Sequence, residues 1–199
     1  FVNSGTEAIE LALRLARETT EANDVVVLEG AYHGSSGNCI EMSPYKFNGP
    51  GGKGCPDWVH VAVAPDIYRG EHRGSDAGDR YAQDVGRAIG EAPSIAAFLA
   101  ESLLSCGGQV PLAEDYLAAA YEQVRAAGGL CIADEVQVGF GRVGDAMWGF
   151  QLQGVVPDVV VLGKPIGNGH PIGAVVTTRA VADAFDTGME YFSTFGGNP

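Results

Sequence analysis

Short, largely apolar runs alternate along this chain with longer amphipathic stretches. Asp24–Leu28, Val59–Val63, Ile95–Ala100, Leu130–Ala133, Val159–Leu162 and Gly173–Thr178 carry few polar residues, the pattern of strands buried on both faces. Between them, Thr6 to Thr20 has an apolar side made by Ile9, Leu11, Leu13, Leu15 and Ala16, which predicts a helix. Ala77–Glu91, Glu114–Ala127 and Arg179–Phe185 are further predicted helices, the second of these stopped by Gly128-Gly129. Phe1-Val2 reads as the end of a strand that runs into the first helix. The stretch from Gly34 to Asp57 is rich in Gly, Ser, Asn and Pro and has no period, so it is predicted to be a long surface loop with a functional purpose. Strands alternating with helices imply an α/β fold, a mostly parallel sheet flanked by helices. Ligands in such sheets bind at the carboxyl ends of the strands.

Composition narrows the picture. A chain of 199 residues, 46% hydrophobic and 19% charged, has the makings of one large domain with a well-filled core. A formal net charge of -13 argues against a nucleic-acid partner, which calls for a basic face, but leaves room for a small anion held by local donors. No apolar run reaches the roughly 20 residues of a membrane helix, so no membrane partner is expected. Cys39, Cys55, Cys106 and Cys131 are widely spaced, without metal-type pairs, and are expected to be reduced thiols in a cytoplasmic enzyme. The opening Phe1-Val-Asn-Ser-Gly5 and the closing Gly197-Asn-Pro199 read as cuts through a larger fold, so residues 1–199 are expected to be a fragment.

The residues with chemical potential fall where strands end. Lys164 follows the apolar run Val159–Leu162 and precedes a loop rich in Gly and Pro. A lysine desolvated there would offer a neutral amine to a carbonyl, although a lysine snorkelling at a strand end has the same look. Ser4-Gly-Thr-Glu7 fits a capping box, with the Ser4 hydroxyl on the Glu7 amide and Glu7 reaching back. The same helix start, with Gly5 permitting close approach and Thr6 adding a hydroxyl, suits a phosphate; a plain cap is the competing reading. Asp134-Glu135 ends a strand, where one carboxylate could hold a heterocyclic nitrogen positive and Gln137 could reach the same ring; an acidic loop is the alternative. Tyr32, next to His33 and Gly34, could stack on a flat ring or pack beneath the long loop. Glu101 ends its strand in the same way. A phosphate cradle, an aromatic plate, a strand-end carboxylate and a lysine together make the set that pyridoxal phosphate requires.

At these residues the sequence resembles the class III aminotransferases, which are fold-type I pyridoxal-phosphate enzymes. The likeness lies in Asn3-Ser-Gly-Thr-Glu-Ala8, Tyr32-His-Gly34, Ala133-Asp-Glu-Val-Gln-Val-Gly-Phe-Gly-Arg142, Gly163-Lys164 and Thr194-Phe-Gly-Gly-Asn198, and it covers essentially the whole chain. The resemblance implies that residues 1–199 are the large cofactor-binding domain, without the small C-terminal domain. It implies that Lys164 forms a Schiff base with the cofactor and later moves the substrate's α-proton, that Asp134 pairs with the pyridine nitrogen and that Gln137 contacts the phenolic oxygen. Ser4, Gly5 and Thr6 would hold the phosphate, Tyr32 would cover a ring face, and His33 and Glu101 would complete the cofactor-binding set. Thr194 would reach the cofactor of a second copy, which implies a homodimer. No metal is expected. The activity implied is transfer of an amino group from a primary amine or amino acid to a 2-oxoacid. Closer likeness to the ethanolamine-phosphate and phosphohydroxylysine phospho-lyase branch lies in Ile40–Phe47, Glu101–Gly108, Gly163–Pro171 and Met189–Phe192. Ornithine- and GABA-type members carry a second glutamate where this chain has Cys106, so elimination of phosphate from an amino-alkyl phosphate stands as the alternative. A non-catalytic interaction subunit is the third reading.

Overall fold

Strand β3 (Ile95–Glu101) is buried along its whole length and forms the middle of the molecule. In the computed structural model, which describes residues 1–197, it belongs to a six-stranded sheet with β1 (Asp24–Leu28), β2 (Val59–Ala62), β4 (Leu130–Asp134), β5 (Val159–Leu162) and β6 (Ala174–Thr177). Asn198, the last residue of the Thr194–Asn198 stretch, lies outside the described residues. The order is β2-β1-β3-β4-β5-β6; all neighbours are parallel except β5 and β6, which run antiparallel. The expected mostly parallel α/β sheet is therefore observed.

Helices cover both faces, as parallel strands require. On one face α4 (Ala77–Glu91) and α5 (Tyr116–Ala126) pack Tyr81, Val85, Tyr116 and Tyr121 against Val26, Phe98 and Cys131. On the other, α1 (Gly5–Thr20) and α6 (Arg179–Phe185) set Ile9, Leu13 and Val181 against Val25, Val27 and Leu99. Val26, Val27 and Phe98 have no exposed surface, and burial of each such side chain stabilises the fold by roughly 1.5–3 kcal/mol relative to leaving it in water.

The long loop is the main departure from the sequence reading. It contains two short helices, α2 (Gly37–Glu41) and α3 (Pro44–Phe47), each too short for a 3.6-residue period to show. Side-chain tethers hold the segment: Glu10 accepts from the Ser36 hydroxyl and, at 2.8 Å, from Asn38 Nδ2. Smaller differences occur at element ends. Val63 lies beyond β2, α5 begins at Tyr116, and Val2 makes only an isolated antiparallel bridge to Gly173. Among the described residues, no helix is long and apolar enough to cross a membrane.

Candidate active site

The carboxyl ends of β1, β3, β4 and β5 open on one cavity. Its floor follows from register. Glu101 and Asp134 are Cα partners across β3 and β4, so the two carboxylates leave the sheet side by side. Asp134 is buried and doubly engaged: Oδ2 lies 2.8 Å from His33 Nδ1, and Oδ1 accepts the Val136 N–H at 3.0 Å. The contact suits the tautomer in which His33 donates from Nδ1 to the carboxylate. His33 Nε2 is then a buried atom without a partner among the described residues. The ring is fixed from behind, because the His33 N–H donates to Ser43 Oγ at 2.8 Å.

Glu101 ties two rims of the cavity together. Its Oε1 accepts the Tyr32 N–H at 3.1 Å, and its Oε2 accepts the Ser105 N–H at 3.0 Å. Burial pushes its carboxyl up from the ordinary value, with His33 opposing and Asp134 adding to the shift. Glu135, the other half of the acidic pair, does not reach the cavity. It has no exposed surface, and it accepts from Gly149 N–H at 2.8 Å and Phe150 N–H at 3.0 Å. It therefore braces the loop that follows β4, and burial raises its carboxyl as well.

The opposite wall is the start of α1. Ser4 caps it, with its hydroxyl accepting the Glu7 N–H at 3.1 Å as expected. The return contact differs from the capping box: Glu7 Oε2 takes the N–H of Asn3 at 2.9 Å and its side-chain amide at 2.8 Å, one residue earlier than Ser4. The N–H groups of Gly5 and Thr6, lacking intrahelical partners, remain available for an anion. The backbone is packed tightly here. A Cβ on Gly5 would stand 2.8 Å from Val136 Cγ1, and one on Gly34 would meet Thr6 Oγ1 at 2.7 Å.

Lys164 completes the ring of residues. The backbone turns at Lys164 into a left-handed conformation, φ 36°, immediately after Gly163 packs against Gly5. The sequence suggested a desolvated lysine, but in the single chain its side chain is exposed. The strand ends before it, so β5 cannot cover it.

Ser4, Gly5, Thr6, Tyr32, His33, Glu101, Asp134, Gln137 and Lys164 all line the one cavity. Thr194 does not: it lies in a neighbouring groove with Asn3, Arg14 and Phe195, sharing only Thr6 with this cavity. Val136 was missed by sequence reasoning, although it lines the cavity and touches both Gly5 and Gly163. Its place directly after the acidic pair was the available signal. Cys106 also lies at the site, where its Sγ accepts from Gln137 Nε2 at 3.5 Å.

Residues 1–199 match the family described as Aminotransferase class-III. The chain belongs to that family. A relative named alanine--glyoxylate aminotransferase 2-like, from Drosophila melanogaster, is 54% identical over 209 residues, covering 100% of this chain and 42% of the relative. A solved phospholyase from Arthrobacter, in complex with phosphoethanolamine, superposes with a TM-score of 0.86 at 39% identity, covering 98% of this chain and 46% of that one. An amine transaminase from an uncultivated Pseudomonas species, solved with PLP bound, gives 0.84 at 28% identity over 92% of this chain and 44% of the other. The chain thus spans less than half the length of the curated relative.

Pyridoxal phosphate is the cofactor that this family uses. The cavity fits it. The α1 start offers N–H and hydroxyl donors with no Cβ in the way at Gly5, Asp134 offers a buried carboxylate held by His33, and Lys164 offers a free amine on the same cavity.

Proposed function

We propose that residues 1–199 are the large cofactor-binding domain of a pyridoxal-phosphate-dependent aminotransferase that moves an amino group from a primary amine or amino acid to a 2-oxoacid. The observation that carries this reading is the meeting of Lys164, Asp134 and the α1 start around one cavity, from segments far apart in sequence. When bound, the cofactor supplies an aldehyde for covalent attachment and a positively charged ring that draws electrons from the substrate.

Each residue then has a task that its position permits. Lys164 would hold the cofactor through Nζ and would carry the proton removed from the substrate's α-carbon. Asp134 would pair with the ring nitrogen, and His33 holds the Asp134 carboxylate in place. Gln137 reaches the phenolic oxygen. Ser4, Gly5 and Thr6 hold the phosphate, Tyr32 covers one ring face, and Glu101 fixes the backbone on which Tyr32 stands. Thr194 serves the cofactor of a second copy, so the working enzyme is a homodimer. The four cysteines, none of them in a disulfide, support a reducing compartment, and we place the enzyme in the cytoplasm.

A second reading rests on Cys106, which contacts Gln137 where a family glutamate would introduce a charge, and on the likeness to the Arthrobacter phospholyase. It is elimination of phosphate and ammonia from an amino-alkyl phosphate on the same residues. Incubating the full-length enzyme with ethanolamine phosphate decides between them. Amino transfer gives no turnover until pyruvate or 2-oxoglutarate is added, whereas elimination releases inorganic phosphate and aldehyde without either. Borohydride treatment of the holoenzyme is expected to fix the cofactor at Lys164; fixation elsewhere, or none, would overturn both readings.

A further inference from the structure

Glu135 stands directly behind Val136 and Gln137, which line the cofactor cavity, and does not line it itself. It has no exposed surface, and among the described residues no basic side chain pairs with it. A buried carboxylate without a counter-ion is costly, so the hydrogen bonds that it accepts must offset that cost. Its Oε2 accepts the Gly149 N–H at 2.8 Å and its Oε1 the Phe150 N–H at 3.0 Å. These donors lie 14 and 15 residues further along the chain, so the carboxylate joins the exit of the 136–148 loop to its entry. Gly149 fits closely there: a Cβ on it would stand 2.8 Å from Ser102 Cβ and 3.2 Å from Glu135 Oε1.

The main chain of the same residue fixes the start of the loop. Glu135 N–H donates to the Val161 carbonyl at 3.0 Å, on the strand that leads to Lys164. Its carbonyl accepts the Gly139 N–H at 3.0 Å, closing a turn around Val136, Gln137 and Val138. Val136 packs against Gly5 and Gly163, and Gln137 reaches across to Cys106 Sγ at 3.5 Å. The backbone under both wall residues is thus pinned through the N–H, the carbonyl and the carboxylate of one residue.

We infer that Glu135 is a positioning residue, whose carboxylate clamps the 136–148 loop so that Val136 and Gln137 stay in place on the cofactor cavity. Glutamine cannot replace it, because one of the two acceptor oxygens becomes an NH2 group that meets an N–H. This inference rests on the reading of the cavity as the cofactor site and of Gln137 as the partner of the phenolic oxygen.

The test uses the full-length protein as wild type, Glu135→Gln, Gln137→Leu and the double variant. Absorbance of pyridoxal phosphate gives the dissociation constant and the pH midpoint at which the bound cofactor changes colour. Glu135→Gln is expected to weaken cofactor binding roughly tenfold, the lower end for loss of a hydrogen bond to a charged group. It should also move the midpoint in the same direction as Gln137→Leu. Because Glu135 acts through Gln137, the midpoint of the double variant should match that of Gln137→Leu alone. An unmoved midpoint in Glu135→Gln, or shifts that add in the double variant, would mean that Glu135 only supports the fold, and the inference is wrong.

Amide hydrogen exchange gives a second test that needs no Glu135 variant and so does not depend on its folding. In wild type the cofactor should slow exchange at Gly149 and Phe150 several-fold more than in α4, and the excess should shrink in Gln137→Leu. Slowing no greater than in α4 overturns the clamp. Borohydride labelling tests the underlying reading separately. No label at Lys164 in wild type, or a wild-type midpoint in Gln137→Leu, removes that reading; an intact label with additive shifts rejects Glu135 alone.

Discussion

Asp134 shows how much chemistry one side chain can concentrate. Its two oxygens are divided between the Val136 N–H and His33 Nδ1, and the far nitrogen of that histidine is buried without a partner. Asp134→Asn would keep an oxygen for Val136 but present an NH2 group to His33. The imidazole must then accept at Nδ1 and carry its proton on Nε2, where no acceptor waits. That unsatisfied buried donor should destabilise the protein by about 1–3 kcal/mol, measured by urea denaturation with and without cofactor. Activity should fall by roughly a hundredfold or more, because a preorganised charge is lost. Unchanged stability would show that His33 and Asp134 are not coupled in this way. The places of Asp134 and Lys164 on the cavity were legible in sequence because each ends or follows an apolar run, and a strand's end projects its next residues into the cavity. The His33 contact was not legible as a carboxylate partner, since the pair is 101 residues apart in sequence and only the β1–β3–β4 order brings them together. Nor was the exposure of Lys164, which depends on what the rest of the chain leaves uncovered.

At the scale of elements, the decisive junction is that between the start of α1 and the ends of β4 and β5. Gly5 meets the Val136 side chain, Gly163 lies 3.3 Å from Gly5 when its missing Cβ is built, and a Cβ on Gly173 would stand 2.7 Å from the Ser4 carbonyl. The helix start can therefore come close enough to the lysine to share one cofactor. Gly5→Ala should push Val136 aside, weaken cofactor binding and lower stability by about 1–3 kcal/mol, the range for overpacking. Adding Val136→Ala makes room for the new methyl group and should recover part of the cofactor affinity. A double variant as poor as the sum of the singles would place the damage elsewhere. The strands and longer helices of this junction were readable from periodicity, because burial on both faces makes a parallel strand nearly all apolar. Helices α2 and α3 were hidden, since four or five residues held by Pro44 and by tethers to Glu10 leave no periodic trace. The reversed direction of β6 was hidden too, because an antiparallel edge strand has the same apolar look as its parallel neighbours.

At the scale of the whole molecule, several large apolar side chains near Thr194 stand open to solvent. Phe1, Met189, Phe192 and Phe195 are 74%, 73%, 75% and 76% exposed, and large apolar residues exposed together commonly mark an interface. Phe192 and Phe195 flank Thr194 in the groove beside the cofactor cavity. If a second copy covers this surface, Thr194 from one subunit completes the phosphate site of the other, and mixing two defective enzymes tests the arrangement. Take full-length Lys164→Ala and Thr194→Val, each weak alone; loss of one phosphate hydrogen bond in the latter should reduce cofactor affinity by roughly ten- to a hundredfold. In a mixed dimer with Thr194 acting in trans, one site carries both defects and the other carries neither. Unfolding and refolding the two variants together should therefore restore sites with wild-type cofactor affinity, approaching one in every mixed dimer, detected by titrating pyridoxal phosphate against absorbance. With Thr194 acting in cis, each mixed dimer would have one site lacking the lysine and one lacking the threonine, and no tight site would return. Recovery thus requires both the second copy and the crossing of Thr194 between subunits, which neither variant alone can mimic.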